Sequence, residues 1–319
     1  AQEADVFLIA PCTANVIAKI ANGIADDLIS TTLLATPRPV VIAPAMNNGM
    51  WKAPATQANM AMLRDRGVHV VGPGSGYLAC GDVDTGRMSE PEDIVEAVCE
   101  VLNPAPQDLA GKRIVITAGP THEPIDPVRF IGNRSSGKMG IALAGEAARR
   151  GAAVTLVLGP TSLDVPHGVE CVRVQTAAEM LQAALDAFQT ADAAICAAAV
   201  ADYTPAAPAD HKLKKANERL DCIELIETVD ILAELSRQKG ERCVIGFAAE
   251  TDNVVKYAQR KLARKGCDAI VANDVSRADS GFGTDTNKAW IVSTTGAQEL
   301  PVLTKPQLAD TILDLLQNL

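Results

Sequence analysis

Residues 133–140 read Asn-Arg-Ser-Ser-Gly-Lys-Met-Gly, and the chain beyond them carries apolar residues at helical spacing before stopping at Arg149-Arg150-Gly151. That is a helix with a basic last turn and a glycine stop. Ser135, Ser136, Gly137 and Lys138 stand at its start. Free backbone N–H groups, the positive end of the helix dipole and a lysine all favour an anion there, so the segment is a candidate phosphate site. Neither GxxxxGK[ST] nor GxGxxG occurs, so the kind of phosphate stays open, as does a plain capped surface excursion. Further along, residues 197–206 leave a strand with Asp202 at its mouth, and His211-Lys212-Leu213-Lys214-Lys215 follows in an otherwise acidic chain. A KxKK run is usually a solvated face, but after a strand-end Asp it also suits a polyphosphate pocket. Phe247 can stack on a base, and Lys261 and Lys265, four residues apart, share one helix face. In the first hundred residues, Asn15 and Asn47 each follow a strand-like run, where an amide can address a carbonyl or another amide. Cys80, in the Gly-rich stretch 72–88, is either a proton donor or nucleophile, or an inert small hydrophobe as Cys171 and Cys196 are expected to be.

These residues need strands and helices to position them. Residues 112–118 have the charged start and unbroken apolar run of a buried parallel strand, and 154–159 is the next strand. Connections in such βαβ units usually take about 2 to 6 residues, so the long polar stretch from 119 to the Ser-Ser-Gly-Lys start is an insertion. Further strands are expected at 170–174, 193–200, 243–249 and 269–273, forming a second open parallel sheet. Before it, 6–11, 39–46 and 68–73 read as buried strands, 13–35 as two helices broken near Gly23, and 90–102 as a capped amphipathic helix. The fold class is α/β, with two doubly wound parallel-sheet domains. The first covers 1–103 and the second 112–319, with the Pro-bearing 104–111 as linker. Open sheets of this kind bind ligands beyond the carboxyl ends of their strands. A doubly wound domain of about 100 to 150 residues does not fit before that linker, so an N-terminal portion of the first domain is expected to be missing.

Composition narrows the classes. The 319 residues are 48% hydrophobic and only 3% aromatic, which suits close helix–sheet packing and argues against disorder. A net charge of −10 speaks against a nucleic-acid surface but allows a local basic pocket. No apolar run approaches the roughly 18 residues of a membrane span. The eight cysteines lack CxxC or Cys/His spacing, so reduced thiols and a cytoplasmic location are expected.

Together these motifs resemble one family along essentially the whole chain: phosphopantothenoylcysteine decarboxylase fused to phosphopantothenate–cysteine ligase, of coenzyme A biosynthesis. In the first half the likeness rests on TAN with IAKIANGIADDL, PAMN with Met50-Trp51, and ACG…GRM. In the second it rests on AGPTHEPIDPVRFIGNRSSGKMG, AAVADY, KLKK, GFAAET and IVANDV. The resemblance implies a flavodoxin-like FMN domain and a Rossmann-like ligase domain. The ligase would use CTP and Mg²⁺ to turn 4′-phosphopantothenate into its acyl-cytidylate, from which L-cysteine displaces CMP. By resemblance Asn133 contacts the acyl phosphate intermediate, and Ser135, Ser136, Gly137 and Lys138 help hold phosphates. Asp202, Lys212, Phe247, Lys261 and Lys265 match CTP-site positions, with backbone around Cys196, Ala197 and Ala198 and around Val229, Asp230, Ile231 and Leu232. The metal ligands are not implied. For the decarboxylase, Asn47 would grip the substrate carboxylate, Cys80 would supply a proton, and Asn15 and Met50 belong to the FMN and substrate site. The family's FMN phosphate loop and catalytic His lie upstream, and none of His69, His122, His167 or His211 matches that His, so this fragment is expected to lack decarboxylase activity.

Two other classes compete. An NAD(P)-dependent Rossmann oxidoreductase needs a glycine fingerprint and a Tyr-xxx-Lys pair; Tyr257 and Lys261 have the spacing, but no fingerprint precedes them. A non-enzymatic flavoprotein regulatory subunit would not carry the ligase half. Small-molecule substrates are the expected partners, with no nucleic acid and no membrane. The family likeness suggests homo-oligomers built from ligase dimers and decarboxylase trimers, a dodecamer among them.

Overall fold

The computed structural model describes residues 3–77, 83–214, 221–277, 280–281 and 283–317. The chain divides into two compact units, Ala1–Ala105 and Pro106–Leu319.

In unit 1 the order is β1 (Phe7–Cys12), α1 (Ala14–Asn22), α2 (Leu28–Ala35), β2 (Val40–Pro44), α3 (Asn48–Lys52) and α4 (Pro54–Asp65). Then come β3 (His69–Val70), β4 (Gly74–Tyr77), β5 (Val83–Arg87) and α5 (Pro91–Leu102). β1, β2 and β3 form a parallel sheet, and β4 and β5 an antiparallel hairpin. Gly23 adopts the left-handed conformation (φ 69°) that ends α1, so the break expected there has a backbone cause. α5 starts with Pro91 at its first position and has no side-chain cap bond, unlike the capped start its sequence suggested. Cys12, Ile17, Ile42, Met60 and Leu63 form the buried core.

Unit 2 opens with β6 (Arg113–Ala118), β7 (His122–Pro124), β8 (Phe130–Gly132), α6 (Lys138–Arg149), β9 (Ala153–Leu158) and β10 (Glu170–Arg173). It continues with α7 (Ala177–Phe188), β11 (Ala193–Cys196), β12 (Tyr203–Pro205), β13 (Leu225–Glu227), α8 (Ile231–Gln238) and β14 (Cys243–Glu250). It closes with α9 (Val254–Lys265), β15 (Ala269–Asp274), β16 (Thr286–Ser293), β17 (Gly296–Thr304) and α10 (Lys305–Leu313). The sheet runs β10-β9-β6-β11-β14-β15-β16-β17. Its first six strands are parallel, as expected; β16 and β17 add an antiparallel edge. Ile114 and Ile116 join one buried cluster, with α6 and α10. Val115 between them joins the other, with α7, α8 and α9. Helices therefore cover both faces, which is why the parallel strands read as continuous apolar runs. Within 104–111, Leu109 is buried in the first of these clusters and the Gln107 amide donates to Arg149 O at 2.9 Å. Among the described residues no helix is long and apolar enough to cross a membrane.

Candidate functional site

Chain order reverses between β6 and β11: β6, β9 and β10 run toward one edge, and β11, β14 and β15 toward the other. At such a switch point the loops leaving two neighbouring strands part and open a crevice beyond their carboxyl ends. The loops here are 119–137 and 197–214. The first holds the inserted residues, and a short antiparallel ribbon, β7 with β8, organises it. Asp126, buried at the ribbon's turn, accepts from Val128 N (2.8 Å), Arg129 N (2.9 Å) and Arg129 Nε (2.9 Å), and the Arg129 guanidinium holds its carboxyl well below the usual range. The second loop is stitched to the first: Ala201 N donates to Thr121 Oγ1 (3.0 Å) and Ala199 N to Gly119 O (2.9 Å).

Ser135 and Ser136 turn the chain into α6, with Gly137 left-handed (φ 80°) as its N-cap. Gly140 lies so close to β6 that a Cβ there would sit 2.3 Å from the Ala118 Cβ. Only a glycine lets the helix start reach the strand end. The result is a cavity of about 340 Å³ lined by Asn133, Ser135–Gly140, Ala197–Val200, Asp202, Phe247, Lys261, Asn273, Asn287 and Lys305. A second cavity of about 490 Å³ is lined by Cys196, Ala198, Val200, Asp202, Val229–Leu232, Phe247, Lys261 and Lys265. They share Ala198, Val200, Asp202, Phe247 and Lys261, so they form one elongated cleft.

The polar groups of the cleft are already oriented. Asn133 Nδ2 donates to Val200 O at 2.8 Å and lies 3.5 Å from Ala199 O, tying the two loops together. Lys138 Nζ donates to Asp285 Oδ1 (2.6 Å) and Gly283 O (3.0 Å). Lys261 Nζ donates to Phe247 O at 2.7 Å, and burial pulls its ammonium below the usual lysine range. Lys265 is ion-paired with Asp230, whose other carboxylate oxygen accepts from Ala233 N (2.9 Å) and caps α8. Burial pushes the Cys196 thiol up to about 12, keeping it protonated and chemically quiet.

The cleft thus gathers Asn133, Ser135–Lys138, Cys196–Ala198, Asp202, Val229–Leu232, Phe247, Lys261 and Lys265. Lys212 lies apart. It is exposed and lines neither cavity, and its neighbour Leu213 is held by Asp126 Oδ2 (3.2 Å) and Arg129 Nη2 (3.0 Å). Lys215 lies outside the described residues. Among the lining residues that the sequence did not single out are Asn273, Asn287 and Lys305. Asn273 is the penultimate residue of the buried strand β15, and a polar residue closing an apolar run was the available signal. Lys305 offered none, because a Lys after a Thr looks like any solvated helix start. An elongated cleft with lysines, a helix start and the aromatic Phe247 on β14 can hold an extended polyanion carrying a base. Among the described residues no cluster of three His, Cys, Asp or Glu could hold a metal ion.

In unit 1 the candidate residues sit at the carboxyl ends of β1 and β2. Asn15 is exposed in the first turn of α1, whose N-cap Thr13 accepts from Val16 N (3.4 Å). Asn47 caps α3 by accepting from Gly49 N (2.8 Å), and Met50 is 50% exposed. The β4–β5 hairpin is tied to this segment by Met46 N donating to Gly86 O (2.9 Å), by Asn48 Nδ2 donating to Asp84 Oδ2 (3.2 Å), and by the Lys52–Asp84 ion pair. Cys80 lies outside the described residues.

Comparison with known proteins places both units. Residues 109–319 match the family of the DNA/pantothenate metabolism flavoprotein C-terminal domain, and residues 1–103 match the flavoprotein family. The chain is 50% identical over 313 residues to the coenzyme A biosynthesis bifunctional protein CoaBC of Bacillus subtilis (strain 168), spanning 97% of this chain and 77% of that protein. It is 48% identical over 314 residues to the protein of the same name from Escherichia coli (strain K12), spanning 98% and 77%. A crystal structure of the C-terminal domain of a coenzyme A biosynthesis bifunctional protein CoaBC superposes with TM-score 0.57 at 45% identity, covering 66% of this chain and 97% of that one. A cleft built for an extended anion, at the switch point of the unit that carries this likeness, agrees with it, and the chain belongs to the family of bifunctional coenzyme A biosynthesis proteins.

Proposed function

We propose that unit 2 joins 4′-phosphopantothenate to L-cysteine at the expense of CTP. The observation that carries this reading is the single cleft running from the Ser135–Lys138 helix start to the Val229–Leu232 segment. It has room for a triphosphate at the first end and a base with its ribose at the second. A carboxylate is a poor acyl donor at neutral pH until it carries a phosphate leaving group. Its oxygen attacks the α-phosphorus of CTP, the bond to the β-phosphate oxygen breaks, and pyrophosphate leaves with the electron pair. The cysteine amine then attacks the acyl carbon, and CMP leaves as the amide forms. The chain's part is to align the reactants and to meet charge as it develops. Lys138 and the N–H groups at the start of α6 address phosphate oxygens, Lys261 and Lys265 the nucleotide, and Phe247 a ring face. Asn133, fixed between two loops, addresses the acyl phosphate.

Mg²⁺ is commonly held by substrate phosphates with one or two carboxylates. The donors fit that pattern better than a protein cage, since Asp202 lines both cavities and no metal cluster exists among the described residues. In unit 1 the match to the flavoprotein family supports FMN, which when bound would supply a two-electron acceptor for a substrate thiol. Asn15, Asn47 and Met50, on strand-end segments, fit positions beside a ring system and a carboxylate, with Asn47 orienting the substrate. Free thiols throughout the described residues support a cytoplasmic site of action. Exposed Val128, Phe130, Tyr203 and Ile226 on the unit 2 ribbons, and Leu28, Ile29 and Leu34 on α2 of unit 1, support self-association through each unit.

The test is incubation of the chain with CTP, 4′-phosphopantothenate, L-cysteine and Mg²⁺, following pyrophosphate and product mass. Pyrophosphate that appears only when phosphopantothenate is present, together with the ligated product, is expected. A folded chain that releases none refutes the reading.

A further inference from the structure

Lys305 is the first residue of α10 and is 6% exposed, yet it lines the 340 Å³ cavity together with the Ser135–Lys138 turn. Its Nζ donates to Asn287 Oδ1 (2.6 Å) and approaches Gly281 O (3.4 Å), both neutral acceptors. Among the described residues it has no carboxylate ion-pair partner. A cation is misplaced here three times over. The start of a helix is its positive end, burial removes the water that stabilises an ammonium, and Lys138 adds a second positive charge on the same cavity. The packing asks for a donor but not for a charge, because Asn287 Oδ1 and Gly281 O are neutral acceptors that an uncharged N–H would serve. A buried charge that breaks local rules in this way is expected at functional sites.

We propose that Lys305 is a further polyphosphate ligand, gripping the pyrophosphoryl end of the bound triphosphate together with Lys138. This rests on reading the cleft as a nucleoside-triphosphate site. Lys305 lines the cavity that holds the helix start but not the one that holds Val229–Leu232, so it belongs to the phosphate end. A phosphate monoester carries about −1.5 to −2 charges at pH 7. The pyrophosphoryl end of a triphosphate carries more, which suits two converging ammonium groups. The main chain links them as well: Lys305 N donates to Asp285 O (3.0 Å), and the Asp285 carboxylate bonds Lys138 Nζ (2.6 Å). Burial first, and then Lys138, hold the Lys305 ammonium down to about 8, with Asp285 opposing them. An arriving polyanion reverses that balance. As the α-phosphorus takes the carboxylate oxygen and the bond to pyrophosphate breaks, Lys305 meets the charge gathering on the leaving group.

The test follows the Lys305 amine in the intact chain by NMR of ε-¹³C-lysine, assigned with Lys305→Arg. Its titration midpoint is expected to rise by about one unit or more with pyrophosphate and Mg²⁺, and to stay put with CMP. A midpoint moved by CMP or by 4′-phosphopantothenate but not by pyrophosphate overturns the proposal. In kinetics, Lys305→Gln is expected to lower kcat/KM for CTP about tenfold to a hundredfold, to leave KM for cysteine unchanged, and to be partly rescued in Lys305→Arg. Unchanged kcat/KM for CTP in a folded Lys305→Gln protein also overturns it. If that variant does not fold, the wild-type titration decides. Wild-type chain that makes no pyrophosphate from CTP defeats the reading of the cleft, whereas active wild type with an unmoved midpoint defeats only the role of Lys305.

Discussion

Replacing Asn133 by Asp tests the junction of the two loops at the point where we propose the acyl phosphate binds. Asn133 is exposed, so the change is not expected to unfold unit 2. Its Nδ2 bond to Val200 O (2.8 Å) disappears, and a carboxylate then faces two carbonyl oxygens, those of Ala199 and Val200. Losing such a bond and leaving its acceptor unmatched costs about 1–3 kcal/mol, and losing a charge-assisted bond to a phosphate or acyl oxygen about 1.5–3 kcal/mol. The two losses belong to one side chain and do not add, so the rate of amide formation is expected to fall about tenfold to a hundredfold. CTP binding is expected to survive, because Phe247, Lys261 and Lys265 are untouched. Asn133→Ala removes the donor without adding a charge and is expected to fall between wild type and Asn133→Asp. The assay is rapid-quench mass spectrometry of the phosphopantothenoyl-CMP adduct, with and without cysteine. Wild-type partition of that adduct in Asn133→Asp would show that Asn133 merely fastens a loop.

Lys261→Met is expected to raise KM for CTP about tenfold or more and leave KM for cysteine alone. Since burial lowers the Lys261 pKa, its charge is present at low pH and lost as pH rises through the depressed value; wild-type KM for CTP should climb on the alkaline side, and that climb should vanish in Lys261→Met. Gly140→Ala forces a methyl to within 2.3 Å of the Ala118 Cβ and is expected to cost about 1–3 kcal/mol, read from denaturant melts; unchanged stability would mean that α6 slides freely on β6. Arg150, 1% exposed, pairs with Asp108 (2.7 Å), Asp310 (2.9 Å) and Asp314 (2.8 Å), fastening the start of unit 2 to its last helix. Arg150→Met is expected to destabilise unit 2 by about 3 kcal/mol, the lower end for a broken buried pair because these carboxylates can rehydrate, and a melt within 0.5 kcal/mol of wild type (roughly the scatter of a neutral surface change) would refute the fastening role.

The parallel strands of unit 2 were legible because burial on both faces writes itself as an unbroken apolar run. Where the run continued past the pairing, the reading overshot: 193–200 looked like one strand, but β11 stops at Cys196 and the rest bends toward Thr121 to make the cleft floor. The β16–β17 edge escaped because Thr286–Ser293 alternates buried and half-buried residues and carries a lysine and an asparagine inside it. That missed hairpin is also why Lys305 was missed. Its burial is not a property of the sequence around it, but of β16 bringing Asn287 and the preceding turn bringing Gly281 over the start of α10. Lys212 shows the converse. A lysine-rich run after a strand-end Asp points toward a polyanion, yet the backbone at Leu213 is held on the ribbon by Asp126 and Arg129, and the side chain stays out of both cavities. Local pattern therefore locates charge along the chain, whereas only the tertiary fold decides which charges are stripped of water and aimed at one cleft. The two lysines that best fit the phosphate end, Lys138 and Lys305, come from opposite ends of unit 2 and meet through Asp285, so no local window could have paired them.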